Sequence, residues 1–120
     1  MRSYSINSEV AWGDILQLLR WRIHVLKGEA SHSIACFNEA INHNYPEFIA
    51  YHRASACDTC DKLLHLFNVL NGLRKFLRYK PCSYSDLDLV EVITFYETES
   101  QNVSSGDIIR PDSSCIQPLI

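Results

Sequence analysis

Four residues carry metal or redox chemistry at spacings that a helix could use. His32 and Cys36 stand four apart, and Cys57 and Cys60 stand three apart. Residues three or four apart share a helix face, so each pair offers two ligands side by side. A hairpin turn near Tyr45 would set the two pairs at similar height on antiparallel neighbours. Thiolate and imidazole together suit a tetrahedral structural zinc. His32, Cys36, Cys57 and Cys60 are therefore the candidate metal ligands, with Glu39 and His43 extending the stripe and Asp61 placed to hydrogen-bond a ligand from behind. Packing competes with this reading. Cys60 falls on one face with Ile49, Leu63 and Phe67, and a free cysteine ordinarily behaves as a small buried hydrophobe. The expectation is packing with no cofactor, and a His/Cys zinc site is the alternative.

Other chemistries fail on context or spacing. A redox Cys-x-x-Cys needs a helix N-terminus to lower its first thiol's pKa; here the helix starts at Pro46, about three turns earlier. Cys57, Cys60 and His65 resemble the first three ligands of a zinc knuckle, but the fourth position holds Leu70. Glu29 and His32 match one Glu-x-x-His element of a di-iron bundle, which requires two. Arg20 and His24 stand too close for the arginine–histidine motif of HEPN-type RNases. The chain has no glycine-rich phosphate loop, no Gly-x-Ser-x-Gly elbow and no His-Glu-x-x-His. No catalytic residue is assigned and no small-molecule substrate is indicated, so the protein reads as a non-enzyme.

Two stretches suit binding instead. Arg74, Lys75, Arg78 and Lys80 interleave with Phe76 and Tyr79; basic and aromatic residues together can hold phosphates and stack bases. The competing explanation is that cations favour a helix C-terminus. The second stretch is Leu18, Trp21 and Val25, which lie off the main apolar stripe of their helix and imply burial on two sides or an exposed patch. Leu73 and Leu77 could enlarge that patch.

The elements that must position these residues are helical. From Ser8 to Lys27, Trp12, Ile15, Leu16, Leu19, Ile23 and Leu26 recur at helical spacing, and Gly28 is a natural stop. Ala30 to Asn44 carries Ile34, Phe37, Ala40 and Ile41. Asn44-Tyr45-Pro46 breaks that segment and opens a long third helix toward Lys80, with a kink expected at Asn71-Gly72. Ser83 and Asp86 form a capping box, with Ser85 and Asp88 as a second register. Residues 86–97 have helical spacing, but the run VEVITFY is rich in strand formers. The cap, and the lack of a strand partner, favour helix.

These segments predict an all-α, single-domain bundle of about four helices over residues 1–97, followed by an irregular polar tail over 98–120 that ends in the apolar CIQPLI. Composition fits: of 120 residues, 47% are hydrophobic and 21% charged, which is ordinary for a globular domain, and a net charge of −3 gives no bulk attraction to nucleic acid. Five cysteines without an export signal or a membrane span point to a reducing, cytoplasmic setting. The function read from the chain is binding of a macromolecule, foremost a protein partner or a second copy, as inhibitors, immunity proteins, adaptors and accessory subunits do. The alternatives are the metal-stabilised helical module and a nucleic-acid accessory protein using the basic cluster.

Overall fold

The computed structural model describes residues 8–103. They contain α-helix and short 3-10 turns and no strand. Three α-helices account for them, α1 (Ser8–Asn42), α2 (Pro46–Phe76) and α3 (Val90–Glu99). The count is three where four were expected, because the chain does not break at Gly28. The residues on either side explain why. Leu16, Leu19, Ile23, Leu26, Ala30, Ile34 and Phe37 follow one another at steps of three or four, so the apolar stripe stays in phase straight across the glycine. Glycine in a helix interior costs about 1 kcal/mol relative to alanine, less than one well-buried leucine returns.

The hairpin turn lies where it was expected. Asn44 takes a left-handed conformation (φ 57°) just past α1. The Tyr45 N–H donates to the Ala40 carbonyl at 3.0 Å, and the Asn44 N–H to that of Ile41 at 3.1 Å, the paired closure of a Schellman motif. Pro46 then opens α2, with Glu47 in its first turn.

α1 and α2 form an antiparallel pair about 50 Å long, and the molecule measures 57 × 30 × 21 Å. Leu16, Ile23, Leu26 and Ala30 meet Cys60, Leu63, Phe67 and Leu70 along it. α2 also runs unbroken through Asn71-Gly72 and ends at Phe76, short of the expected Lys80. Asn71 has a different task. Its side-chain amide donates to the Cys82 carbonyl at 2.9 Å and accepts the Cys82 N–H at 2.8 Å. That two-point clamp holds the returning loop against α2 where Pro81 can donate nothing.

The expected capping box is present. The Ser83 N–H donates to the Asp86 carboxylate at 2.8 Å, and the Asp86 N–H to Ser83 Oγ at 3.2 Å. It closes the 3-10 turn Ser85–Leu87 rather than α3 itself. Hydrogen bonding from the Ser83 backbone N–H, and then from its side chain, holds the Asp86 carboxyl below its ordinary range. Leu89 is fully buried and anchors the entry to α3, whose Val92 and Ile93 are buried behind it. VEVITFY is therefore helix: tertiary burial overrides strand propensity.

α3 packs on both long helices. Phe95 meets Phe37 edge-on at 5.2 Å between ring centroids. Arg53 lies over the same Phe37 ring at 5.5 Å and pairs with Glu99 at 3.2 Å. Tyr96 donates its hydroxyl hydrogen to Asp61. The expected tail boundary at residue 98 falls inside α3, and residues 104–120, with CIQPLI, lie outside the described residues.

Asn71→Ala removes both bonds to Cys82 at once. The variant should unfold about 2 kcal/mol more easily in urea, with α-helical circular dichroism unchanged before the transition.

Candidate functional site

The sulfur and imidazole residues occupy separate environments. α1 holds Cys36 Sγ 3.7 Å from His32 Nε2, with His32 exposed and Cys36 half-buried. α2 turns Cys57 and Cys60 inward, and both are buried. The Cys60 thiol donates to the Val92 carbonyl of α3 at 3.6 Å. Burial pushes the Cys60 thiol up to about 12, with Cys57 and Asp61 adding to it. Burial likewise pushes Cys57 up to about 11, with Glu99 and Asp61 reinforcing the shift and Arg53 opposing it. These are protonated, poorly nucleophilic thiols at neutral pH. Among the described residues, no three His, Cys, Asp or Glu side chains stand where they could share a metal ion. The alternative ligand set of His32, Cys36, Cys57 and Cys60 is not brought together among the described residues: the Cys60 thiol turns to α3 instead. Asp61 serves Tyr96 rather than a ligand, and this bond is the first cause of the Tyr96 hydroxyl rising to about 12.

The basic cluster is only partly available. Arg74 donates from Nε to the Lys80 carbonyl at 2.7 Å and lies over the Tyr79 ring at 5.6 Å, so it closes the α2 terminus. Lys75, Arg78 and Lys80 are exposed, beside the exposed rings of Phe76 and Tyr79. Arg78 has φ 67°. It fills the left-handed position after the helix, with the Tyr79 N–H reaching back to the Arg74 carbonyl at 2.7 Å. Glycine or asparagine is usual there.

The outward face of α1 presents two large apolar side chains among polar ones. Leu18 and Trp21 keep 63% and 58% of their surface exposed, and Val25 is half-buried. Around Trp21 lies an open, shallow depression lined by Asp14, Gln17, Leu18, Arg20 and His24. Leu73 and Leu77 do not join this patch; they pack against the core.

The hairpin tip carries an aromatic cluster that no motif in the sequence marks. At the hairpin tip, His43 stacks on Tyr45 at 5.8 Å and 19°, Tyr45 meets Phe48 edge-on at 5.9 Å, and His52 contacts both Phe48 and Tyr51. Burial lowers the His52 pKa, and His32 lowers it further. The signal was the aromatic spacing 45, 48, 51 and 52 across the turn.

These shifts define a pH window. Cys57, Cys60 and Tyr96 are acids with raised values in the fold, so the stability tied to their neutral forms is complete below their ordinary values of 9.0 and 10.0 and is lost as pH rises toward 11 to 12. His52 is a base with a lowered value, so its contribution is complete above 6.5 and falls below that. The urea midpoint should therefore be flat between those limits and decline on both sides. At pH 8, Cys36 should react quickly with a thiol reagent, while Cys57 and Cys60 should react only as the protein unfolds.

No protein-family model, no curated protein and no solved structure matches this chain, so its surfaces themselves are what speak to its function.

Proposed function

We propose that this is a non-catalytic helical protein that acts by binding a macromolecular partner, foremost a protein, through the outward face of α1. The observation that carries the reading is the exposure of Leu18 and Trp21, 63% and 58%, on the side of a long helix that its own core does not use. Tryptophan dominates the energetics of protein interfaces when it fills a partner's pocket, and two large apolar side chains one turn apart form an anchor of that kind. The buried thiols, with values raised to about 11 and 12, favour binding over thiol chemistry.

A photo-crosslinking residue at position 25, with a control at Lys62 on α2, tests this in cells. Crosslinks to one discrete protein from position 25, saturable and absent in Trp21→Asp, are the expected result. Equal, diffuse labelling from both positions would sink the reading.

A second reading rests on Arg78. A left-handed non-glycine residue is strained by about 1 kcal/mol, and here it sits between exposed Lys75 and Lys80 and beside Phe76 and Tyr79. Strain kept at a surface cation fits an arginine retained for contact with a polyanion such as single-stranded nucleic acid. Arg78→Gly should raise stability by about 0.5–1 kcal/mol while weakening salt-sensitive binding to single-stranded oligonucleotides. A more stable variant with unchanged binding would remove this reading.

A further inference from the structure

The outer face of α1 repeats the rhythm of its inner face. Leu18, Trp21, Val25, Gly28, His32 and Ala35 follow at steps of three, four, three, four and three. Each of the first five stands two residues after a member of the core stripe, Leu16, Leu19, Ile23, Leu26 and Ala30. Two residues correspond to about 200° around a helix, so α1 carries two seams back to back. The inner one is filled by α2. The outer one has the three-four spacing of a coiled-coil stripe, and all its residues are exposed except half-buried Val25.

Gly28 has no role in the single chain. A Cβ placed there would meet nothing within 4 Å, as at Gly13 and Gly72, and the backbone has ordinary helical conformation, with no positive φ among the described glycines. Alanine would make the helix more stable. A glycine on an exposed helical seam makes sense where something large must come close to the backbone.

We infer that the outer seam of α1 pairs, antiparallel and about a two-fold axis near Val25, with the same seam of a second copy of this chain. This inference rests on the reading of the α1 face as a binding surface and names its occupant. Two features make the seam complementary to itself. Trp21 and Gly28 are seven residues apart; antiparallel pairing about Val25 lays each indole over the open slot at Gly28 of the other copy, in a hole bounded also by Val25, Glu29 and His32. Arg22 and Glu29 are seven apart as well, both on one flank of the seam and both exposed. Neither makes an ion pair among the described residues. In an antiparallel helix pair like flanks meet, so Arg22 of each copy faces Glu29 of the other, twice. In a parallel pair the flank carrying Arg22 and Glu29 would lie against the opposite flank of the other copy, so the two charges would not meet and this complementarity would be lost.

Sedimentation equilibrium of the full reduced chain, from micromolar to several hundred micromolar, tests the pairing. The expected wild-type result is a concentration-dependent shift from 13.8 kDa to twice that mass. Trp21→Asp and Gly28→Leu should remain monomeric with unchanged helicity. Arg22→Glu and Glu29→Arg should each weaken pairing by about tenfold or more, and the double swap should restore it. A dimer indifferent to Trp21→Asp and Gly28→Leu, or a double swap as weak as the singles, overturns the inference. So does a wild-type chain that stays monomeric throughout. In that last case, crosslinking of a different protein at position 25 leaves the wider binding reading standing, and no crosslinking at that face removes both.

Discussion

The antiparallel apolar seam between α1 and α2 is the contact on which the rest of the structure depends. Helices of 35 and 31 residues gain little from propensity alone. Their order comes from keeping one narrow stripe in phase over most of their length. Ile23, Leu26, Leu63 and Leu70 are each at least 97% buried, and burying such a side chain is worth about 1.5–3 kcal/mol. α3 adds only ten residues and packs on both long helices. It therefore has no surface to bury against until the hairpin exists. The order of dependence is seam first, then the loop clamped by Asn71, then α3.

That hierarchy explains what could be read in the sequence and what could not. The helical class, the turn at Tyr45-Pro46 and the Ser83–Asp86 box are local signals, and each is present in the fold. The expected breaks at Gly28 and Asn71-Gly72 were local signals too, but the seam overrides them. The steps from Leu16 to Phe37 stay regular across Gly28, and that phase, rather than the glycine, decides the helix boundary. The role of Asn71 was not legible because its partner, Cys82, lies in the loop beyond the end of α2, and no local pattern links the two. Among the site residues, Leu18 and Trp21 were legible as lying off the stripe. Leu73 and Leu77 were not separable from them, because which side of α2 is covered depends on how the hairpin packs. Arg78 was placed in a basic cluster, but its left-handed backbone is a property of the way α2 terminates.

Among the described residues, three non-glycine residues have positive φ: Asn44, Arg78 and Asp88. Asparagine and aspartate tolerate that region, since their short polar side chains bond locally. Arginine has no such advantage. Gly28 is the converse case, a residue with conformational freedom that its regular helix does not use. Both positions give up some stability that the most obvious substitution would recover. Local rules are most often broken where a surface serves something besides folding. Arg78 lies in the basic cluster and Gly28 on the outer seam of α1, the two surfaces for which binding is proposed.

The distribution of side-chain size along the hairpin decides which faces remain open. Apart from Phe37, its buried residues in the half nearer the tip are small: Ala30, Ala40, Ala54, Ala56, Cys57 and Cys60. They leave room for a third helix to lie close, so that the Cys60 thiol reaches the Val92 carbonyl and Phe95 reaches Phe37. Toward the other end the buried residues are Leu63, Phe67 and Leu70, and the loop with Cys82 and Tyr84 lies over them instead. The cysteines of ACDTCDK are thus sized for helix docking, and their raised pKa values are a consequence of the docked helix above them. Arg20 meets Cys82 and Lys27 meets Asp88 on the side of α1 that carries the loop. Because α2 occupies the inner seam and α3 with its loop occupies that flank, the outward side of α1 is left uncovered. Leu18, Trp21 and Gly28, each about 200° past a member of the inner stripe, face that uncovered side.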